Sequence, residues 1–418
     1  MPAQGALPTR KTEIGLGEST LVLFAGAVLL LGAVLWSARG PFAEKTDFSV
    51  TYVGAWMVHQ GQGASLYDLS EQKKVRDSLF QHPNPLIYEH PPFEALLFAP
   101  LAGLPYRTAY LIWGMVNALI WLTLPLLFRP YTPFPSETLG YFALWFLFAP
   151  LGVALFQGQS SLLLVLLYAA TFISLKAGRD LRAGLYLGLG LFKFQFVLPF
   201  ALIFLLRRKW RFLGGFACSA TVLGALSLVA AGWRGILSYV RLLLSIGSKP
   251  ANQSYGSAVD MPTLQGFVYA VLGNRVSVGT ISFIVAVSSV LLVFLTAWRW
   301  RREERRSGSG SFDLMFAAAL AVSLMTGFHM FTHDFAPLIL AALLVLAHFP
   351  KRERSALRFA LGTTLVLLWL PPLYFALVAL HRLYLMFPVL LVFGLSALSL
   401  AARPVEEVRR ERARVPAQ

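Results

Sequence analysis

Long apolar stretches set the main limit on how this chain can fold. Of its 418 residues, 57% are hydrophobic and 13% are charged. Runs of about 20 apolar residues recur along it, and a helix needs roughly that length to cross a bilayer with its backbone polar groups satisfied internally. The sequence therefore predicts an all-α polytopic membrane protein and excludes an ordinary soluble domain.

Hydropathy predicts about 10–12 membrane helices in one transmembrane domain. The predicted full spans are about 20–37, 107–128, 138–156, 159–175, 212–232, 277–298, 312–328, 334–349, 358–376 and 382–401. The predicted domains are an N-terminal tail at 1–19, the transmembrane domain at 20–402 and a charged tail at 403–418.

The placement of the basic residues orients this domain. The formal net charge is +16, and the cations cluster at span ends such as 207–209, 299–306 and 403–414. The positive-inside rule and anionic membrane lipid explain such clusters, so we predict no nucleic-acid partner. Both termini are then cytoplasmic, and the large polar segments 39–105 and 233–276 lie outside, where the first carries short helices near the membrane surface.

Residues 183–206 do not fit a simple span. Basic residues at Arg182 and at 207–209 place both ends on the cytoplasmic side, yet 24 residues cannot cross a bilayer twice. We therefore predict a pair of short or re-entrant helices meeting near Lys193, which points into a polar cavity. Its charge needs an anionic partner, either a bound phosphate or a neighbouring carboxylate. On these grounds Lys193→Met is expected to leave the protein folded or even more stable.

Asp47 is the main candidate for catalysis. It follows the first span by about ten residues, which places it at the membrane–water boundary, where partial desolvation makes a carboxylate a better proton acceptor. The alternative is a structural role, because Asp47 precedes the amphipathic stretch FSVTYVGAWMV and Asp caps helices well. Both roles can coexist.

Other polar groups fall on the same predicted face. His329 and His333 are four residues apart and precede Asp334, a spacing that on a helix would suit a metal pair, but a third ligand is missing and hydrogen bonding to a polar or anionic ligand is favoured. Gln159 lies in a polar break between two spans, where a plain turn is the alternative. Asn252 and Gln253 lie in the second outer segment and, like Gln159, are candidates for binding the substrate. Cys218, the single cysteine, excludes an intrachain disulfide and is predicted to be a packing residue.

These motifs together resemble glycosyltransferase family 87, the polyprenyl-phosphate-mannose-dependent mannosyltransferases with the GT-C fold. The resemblance rests on the order of several motifs over residues 20–400. They are Asp47-Phe48, Tyr67-Asp68, Pro91-Pro92-Phe93, the stretch APLAGLP at 99–105, Gly158-Gln159, Lys193 before a basic stretch, Asn252 to Ser254 and a late histidine turn. Two positions depart from the family pattern, Ser160 in place of Asn and the form of the histidine turn.

The resemblance implies a function at the outer face of a bacterial inner membrane. Asp47 would act as general base, Lys193 and His329 or His333 would contact the donor phosphate, and the partners would be a polyprenyl-phosphate sugar, a glycan or glycolipid acceptor and membrane lipid. No cofactor or metal is implied. A transporter or lipid flippase that uses Lys193 and the two histidines remains the alternative, and it would be favoured by an internal repeat, which the sequence does not display.

Overall fold

The computed structural model describes residues 16–132, 138–248, 258–273, 275–304, 310–349 and 355–402. Within these ranges all regular structure is helical, with 18 α-helices joined by loops and short 3₁₀ turns. The predicted all-α architecture is therefore confirmed.

The helices follow one another closely along the chain. The first nine are α1 (Leu16–Ser37), α2 (Asp47–His59), α3 (Leu69–Leu79), α4 (Pro92–Ala102), α5 (Tyr106–Phe128), α6 (Thr138–Phe146), α7 (Ala149–Gln157), α8 (Ser161–Lys176) and α9 (Asp180–Leu189). The next nine are α10 (Phe194–Leu206), α11 (Trp210–Ser248), α12 (Leu264–Leu272), α13 (Val278–Glu304), α14 (Gly310–Met325), α15 (Leu338–Ala347), α16 (Ala356–Leu368), α17 (Pro371–Ala379) and α18 (Met386–Ala401).

Many of these helices are suited to a membrane. Among the described residues, six helical segments are long and apolar enough to cross one, or eight if two bent pairs each count as a span. The bent pairs are α6 with α7 and α16 with α17, at 51° and 69°. Helices α4, α8, α14 and α15 are apolar but shorter than a full span. The predicted number of 10–12 membrane helices is higher because the prediction counts α8, α14 and α15 among them.

Residues 180–206 are one of the six segments whose length and composition would allow a single crossing. They form a helical hairpin instead. A Cβ atom added to Gly184 would lie 1.9 Å from the carbonyl oxygen of Phe212, so the start of α9 packs directly on the start of α11. Helix α11 begins only a few residues after α10 ends. Both ends of the hairpin therefore lie at the same end of the bundle, and the 3₁₀ turn Gly190–Lys193 forms its tip. This confirms the predicted pair of short helices meeting near Lys193.

Ion pairs hold the base of this hairpin. Arg207, which is 6% exposed, forms a salt bridge with Glu304 at the end of α13, and its guanidinium lies 3.8 Å from the centroid of the Trp300 ring. Lys176 at the end of α8 forms a salt bridge with Asp313 near the start of α14. The basic segments that flank the hairpin are thus anchored at the end of the bundle away from its tip.

Two buried helices hold the segment that lies at the same end of the bundle as the hairpin tip. Every side chain of α15 from Leu338 to Val345 is fully buried, as is most of α14. A helix that is apolar all round belongs in the centre of a protein. The segment 326–337, which joins α14 to α15, is therefore anchored on both sides by the core, and it carries both predicted histidines.

The segment 39–105 is a packed part of the fold. It contains the predicted short helices, α2, α3 and α4, and α2 is buried along most of its length. Tyr88 packs so closely on α2 that a Cβ atom at Gly54 would lie 2.6 Å from its ring. The backbone N–H of Phe93 donates to Ser227 Oγ of α11 (3.2 Å), which attaches α4 to the transmembrane helices.

The second polar segment, 233–276, contains more helix than the sequence predicts. Helix α11 turns at Gly232, which has a positive φ of 63°, and continues to Ser248. Helix α12 follows before α13. Asn252 and Gln253, both predicted to bind substrate, lie outside the described residues. The prediction that Cys218 is a packing residue is wrong, because its side chain is exposed on the surface of α11, where an apolar residue can face lipid.

Candidate active site

A cavity of about 490 Å³ lies beside the tip of the hairpin. Its lining includes five of the predicted site residues, Asp47, Gln159, Lys193, His329 and His333. The chain thus brings together polar groups from α2, from the loop before α8, from the hairpin tip and from the segment before α15.

Asp47 is the first residue of α2, but it does not cap the helix. The N-cap residue is Thr46, and the Asp47 backbone N–H donates to Oε1 of Gln157 (3.1 Å). The Asp47 carboxylate instead accepts a hydrogen bond at Oδ2 from Nε2 of Gln159 (2.8 Å). Its position in the first helical turn favours a negative charge, because the positive end of the helix dipole lies there.

The loop that carries Gln159 is held against α5 and α2. Gly158 has a positive φ of 61°, and a Cβ atom there would lie 2.7 Å from Cβ of Phe48. Nε1 of Trp113 donates to the carbonyl oxygen of Gly158 (2.8 Å), and Nδ2 of Asn117 donates to that of Gln159 (3.2 Å). This segment is a turn, which is one of the two roles that the sequence allows. The turn also holds the Gln159 amide between Asp47 and Lys193.

Lys193 is paired with a carboxylate. Its side chain is 3% exposed, and Nζ lies 2.6 Å from Oδ1 of Asp334, which is 1% exposed. The same ammonium donates to Oε1 of Gln159 (3.1 Å). Of the two anionic partners that the sequence allows, the protein itself supplies the carboxylate. A buried lysine keeps its charge only with such a partner.

The contacts of His333 complete a ring of five side chains. Nε2 of His333 lies 3.4 Å from Oδ2 of Asp334, and Nδ1 lies 3.7 Å from Oδ2 of Asp47. The ring therefore runs from Asp47 through Gln159, Lys193, Asp334 and His333 back to Asp47. Asp334 is held further by the hydroxyl of Ser161 and the backbone N–H of Phe331 (3.0 Å). Such a network fixes each charge relative to the others.

His329 faces a different group. Its Nε2 lies 3.7 Å from Oε1 of Glu89, which also lines the cavity. Burial lowers the pKa of His329, and the Glu89 carboxylate offsets this only in part. The two histidines lie in a turn, as the sequence predicts, with His329 in a loop and His333 in the 3₁₀ turn Thr332–Phe335. The helical spacing that would suit a metal pair is therefore not present. Within the described ranges, no group of three or more His, Cys, Asp or Glu residues could hold a metal ion.

A histidine–carboxylate pair on the α4 side was not singled out from the sequence. Nδ1 of His90 lies 2.7 Å from Oε2 of Glu94, and Glu94 is 2% exposed. Oε1 of Glu94 accepts a hydrogen bond from Ser160 Oγ (3.1 Å). Burial would lower the pKa of His90, but the Glu94 carboxylate outweighs this, so the pKa is raised overall. The spacing of four residues at a helix start is the signal that could have revealed the pair.

The other side of the cavity is mostly apolar, with Gln265 and Ser282 as its polar side chains. It is formed by side chains of α11, α12 and α13, including Leu243, Leu244, Tyr269, Ile281 and Val285. A second cavity of about 480 Å³ follows along α10 and α13. Apart from Ser289 and Thr326, its lining is apolar, and it includes Leu202, Phe216 and Val293.

Comparison with known proteins identifies the family. The model of glycosyltransferase family 87 matches residues 88–327, more than half of the chain. The chain belongs to glycosyltransferase family 87. It is a membrane glycosyltransferase, as its motifs predict. No curated protein and no solved structure matches it.

The family match covers part of the site. Glu89, His90, Gln159 and Lys193 lie within the matched residues of this glycosyltransferase. Asp47 precedes them, and the histidine turn follows them, so the match is narrower than the resemblance over 20–400. The cavity nevertheless joins residues from inside and outside the match.

Proposed function

We propose that this glycosyltransferase transfers a hexose, most simply mannose, from a polyprenyl-phosphate donor to a glycan or glycolipid acceptor. The reaction takes place at the outer face of a bacterial inner membrane and inverts the anomeric carbon. The observation that carries the proposal is the cavity in which Asp47 and Lys193 are held by the two ends of one Gln159 amide.

Asp47 is the general base in this proposal. Oδ2 of Asp47 is engaged by Gln159, and no hydrogen bond to Oδ1 is found among the described residues. With a side chain 22% exposed in a cavity, this carboxylate can reach an acceptor hydroxyl. As the acceptor oxygen forms a bond to the anomeric carbon, the hydroxyl proton passes to Asp47, because a positioned carboxylate can remove a proton in the transition state.

The leaving group is the donor phosphate. When the bond from the anomeric carbon to the phosphate oxygen breaks, its electron pair stays on that oxygen, and the prenyl phosphate gains one negative charge. Lys193, with His333 or His329, supplies positive charge or hydrogen-bond donors for this group. A lysine suits the role because an ammonium places few geometric demands on a phosphate.

The apolar side of the cavity fits the prenyl tail. Residues 281, 282, 285 and 286 of α13 line the polar cavity, and residues 289, 290 and 293 of the same helix line the second one. At about 1.5 Å per residue, the lining positions from 281 to 293 extend about 18 Å along α13. An isoprenoid chain can therefore lie along α10 and α13 while its phosphate remains beside Lys193.

The test uses the purified protein in lipid vesicles with defined donors. Polyprenyl-phosphate mannose and a nucleotide-linked mannose are compared at equal concentration, with a membrane glycolipid fraction as acceptor. We expect sugar transfer from the prenyl donor and an anomer opposite to that of the donor. Transfer from the nucleotide sugar without any prenyl phosphate, or retention of configuration, would contradict the proposal.

The alternative of a transporter or lipid flippase has a distinct outcome in the same vesicles. A flippase would move a labelled prenyl-phosphate sugar across the bilayer without breaking its glycosidic bond. Movement of intact donor with no product would favour that alternative, although membership of a glycosyltransferase family argues against it.

A further inference from the structure

We propose that His90, oriented by Glu94, is a second cationic contact for the donor phosphate, in addition to Lys193. This inference rests on the proposed function, because it assigns a ligand group to a side chain of the same cavity. It gives a role to a histidine–carboxylate pair that the proposed reaction does not otherwise use.

The imidazole of His90 is fixed from two directions. Its Nδ1 lies 2.7 Å from Oε2 of Glu94, and this carboxylate is itself held at Oε1 by Ser160. The His90 backbone is fixed as well, because the hydroxyl of Tyr67 donates to its carbonyl oxygen (2.7 Å). A ring held in this way needs little reordering when a ligand arrives.

The free edge of this ring faces the cavity. His90 is 24% exposed and lines the cavity, whereas Glu94 is 2% exposed. The carboxylate engages Nδ1, which leaves Nε2 as the ring nitrogen that can donate to a ligand. No hydrogen bond to Nε2 is found in the described part of the chain. Lys193 is close enough for its charge to lower the pKa of His90, so the two cations share one region of the cavity.

A second donor is useful because two of the three N–H groups of Lys193 are already engaged, by Gln159 and by Asp334. That leaves Lys193 a single N–H group for a phosphate, which has several acceptor oxygens. The phosphate becomes more negative as it leaves, so a further donor beside Lys193 lowers the energy of the transition state.

The charged and titratable neighbours of His90 come from several parts of the fold. Glu94 and Glu89 favour its protonated form, whereas burial and Lys193 oppose it. The ring of Tyr88 lies beside it, with centroids 5.7 Å apart. The balance raises the pKa of His90, which keeps the imidazole protonated to a higher pH than a free histidine.

The experiment compares His90→Gln with the wild type and with His82→Gln, a control at an exposed histidine of the same segment. Affinity for decaprenyl phosphate and the kinetics of sugar transfer are measured between pH 5.5 and 9. We expect about tenfold weaker binding and a higher donor KM for His90→Gln at pH 6.5. The ratio of wild-type affinity to His90→Gln affinity should fall as the pH rises through the pKa of His90, whereas the ratio of wild type to His82→Gln stays constant. Titration of the phosphate and of the other histidines affects all three proteins alike and cancels in these ratios.

A second variant separates a ligand contact from a structural role. Glu94→Gln keeps the size of the side chain but removes its charge, so the pH at which affinity falls should move to a lower value. If folded His90→Gln binds decaprenyl phosphate as tightly as the wild type at every pH, the proposal is wrong. If that variant does not fold, an unchanged midpoint in Glu94→Gln overturns it instead.

Failure of the proposed function gives a different result. In that case the wild type binds no prenyl phosphate and transfers no sugar from it, whatever residue stands at position 90. Binding by the wild type that is insensitive to His90→Gln would leave the proposed function intact and remove only the role of His90.

Discussion

The ammonium of Lys193 lies 2.6 Å from the carboxylate of Asp334, and both side chains are at most 3% exposed. This pair argues against the sequence-based expectation that Lys193→Met leaves the protein folded or even more stable. Removing the lysine would leave Asp334 buried without its cation, and breaking a buried pair in this way costs about 3–5 kcal/mol.

We therefore expect Lys193→Met to lower the thermal unfolding temperature in detergent, and Lys193→Met/Asp334→Asn to recover much of the loss. Both variants should be deficient in sugar transfer, because both lack the ammonium. A single variant as stable as the wild type would show that Asp334 does not depend on Lys193.

Asp47→Asn should abolish sugar transfer without unfolding the protein. The amide has nearly the same shape but cannot accept the proton of the acceptor hydroxyl, and we expect a loss of about 10³-fold or more in turnover. Asp77→Asn, at an exposed position of α3, is the control and should retain wild-type turnover. Near-normal turnover of Asp47→Asn would rule out a base at this position.

His329 should make the protein less stable in acid. Burial lowers its pKa in the folded state, so around its ordinary value of 6.5 the unfolded chain binds more protons than the folded one. Stability is then lost as the pH falls below about 6.5. With no donor present, His329→Gln should lose less stability than the wild type between pH 8 and pH 5. An equal loss in both proteins would contradict this sign.

The predicted orientation can be tested by cysteine labelling in a Cys218→Ala background, since the native thiol is exposed. Lys73→Cys, on α3, should react with an impermeant reagent added to intact cells. Ala177→Cys, between α8 and α9, should react only after the cells are opened. Both positions are exposed, so the difference reports the side of the membrane. The reverse pattern would place the active site in the cytoplasm.

Filling the second cavity should change the preference for donor length. Ser289→Trp introduces a large ring into the lining of that cavity, whereas Val287→Trp, at a position 42% exposed on the same helix, does not. We expect Ser289→Trp to use long prenyl donors less well while its use of a farnesyl donor is unchanged. Equal activity of both variants with long donors would place the tail elsewhere.

The sequence predicts the membrane architecture and the hairpin well, for a physical reason. Apolar length determines which segments can span, and the basic residues on both sides of 183–206 require both of its ends to lie on the same side. The position of Lys193 at the tip follows directly. The sequence also selects Asp47, Gln159 and the histidine turn, all of which reach one cavity.

The partners of these residues could not be predicted in the same way. Lys193 and Asp334 are 141 residues apart. The residues around Asp334 in the sequence indicate a neighbour of the histidines, but they do not indicate that Asp334 pairs with Lys193. The sequence predicts the turn that carries His329 and His333, but it does not predict that His329 faces Glu89 while His333 lies between Asp47 and Asp334. The carboxylate of Glu94 is equally ambiguous, because its burial depends on contacts with α8 and α11.

The contact between α9 and α11 makes the enzyme sensitive to changes far from its substrate. A Cβ atom at Gly184 would overlap the backbone of α11, so even alanine must push the two helices apart. Gly184 is nine residues before Lys193, about 13 Å along a helix. A small displacement of α9 at Gly184 is therefore expected to move the Lys193 ammonium at the tip of the hairpin. Substitutions that abolish activity should therefore include some at the end of the bundle opposite the cavity.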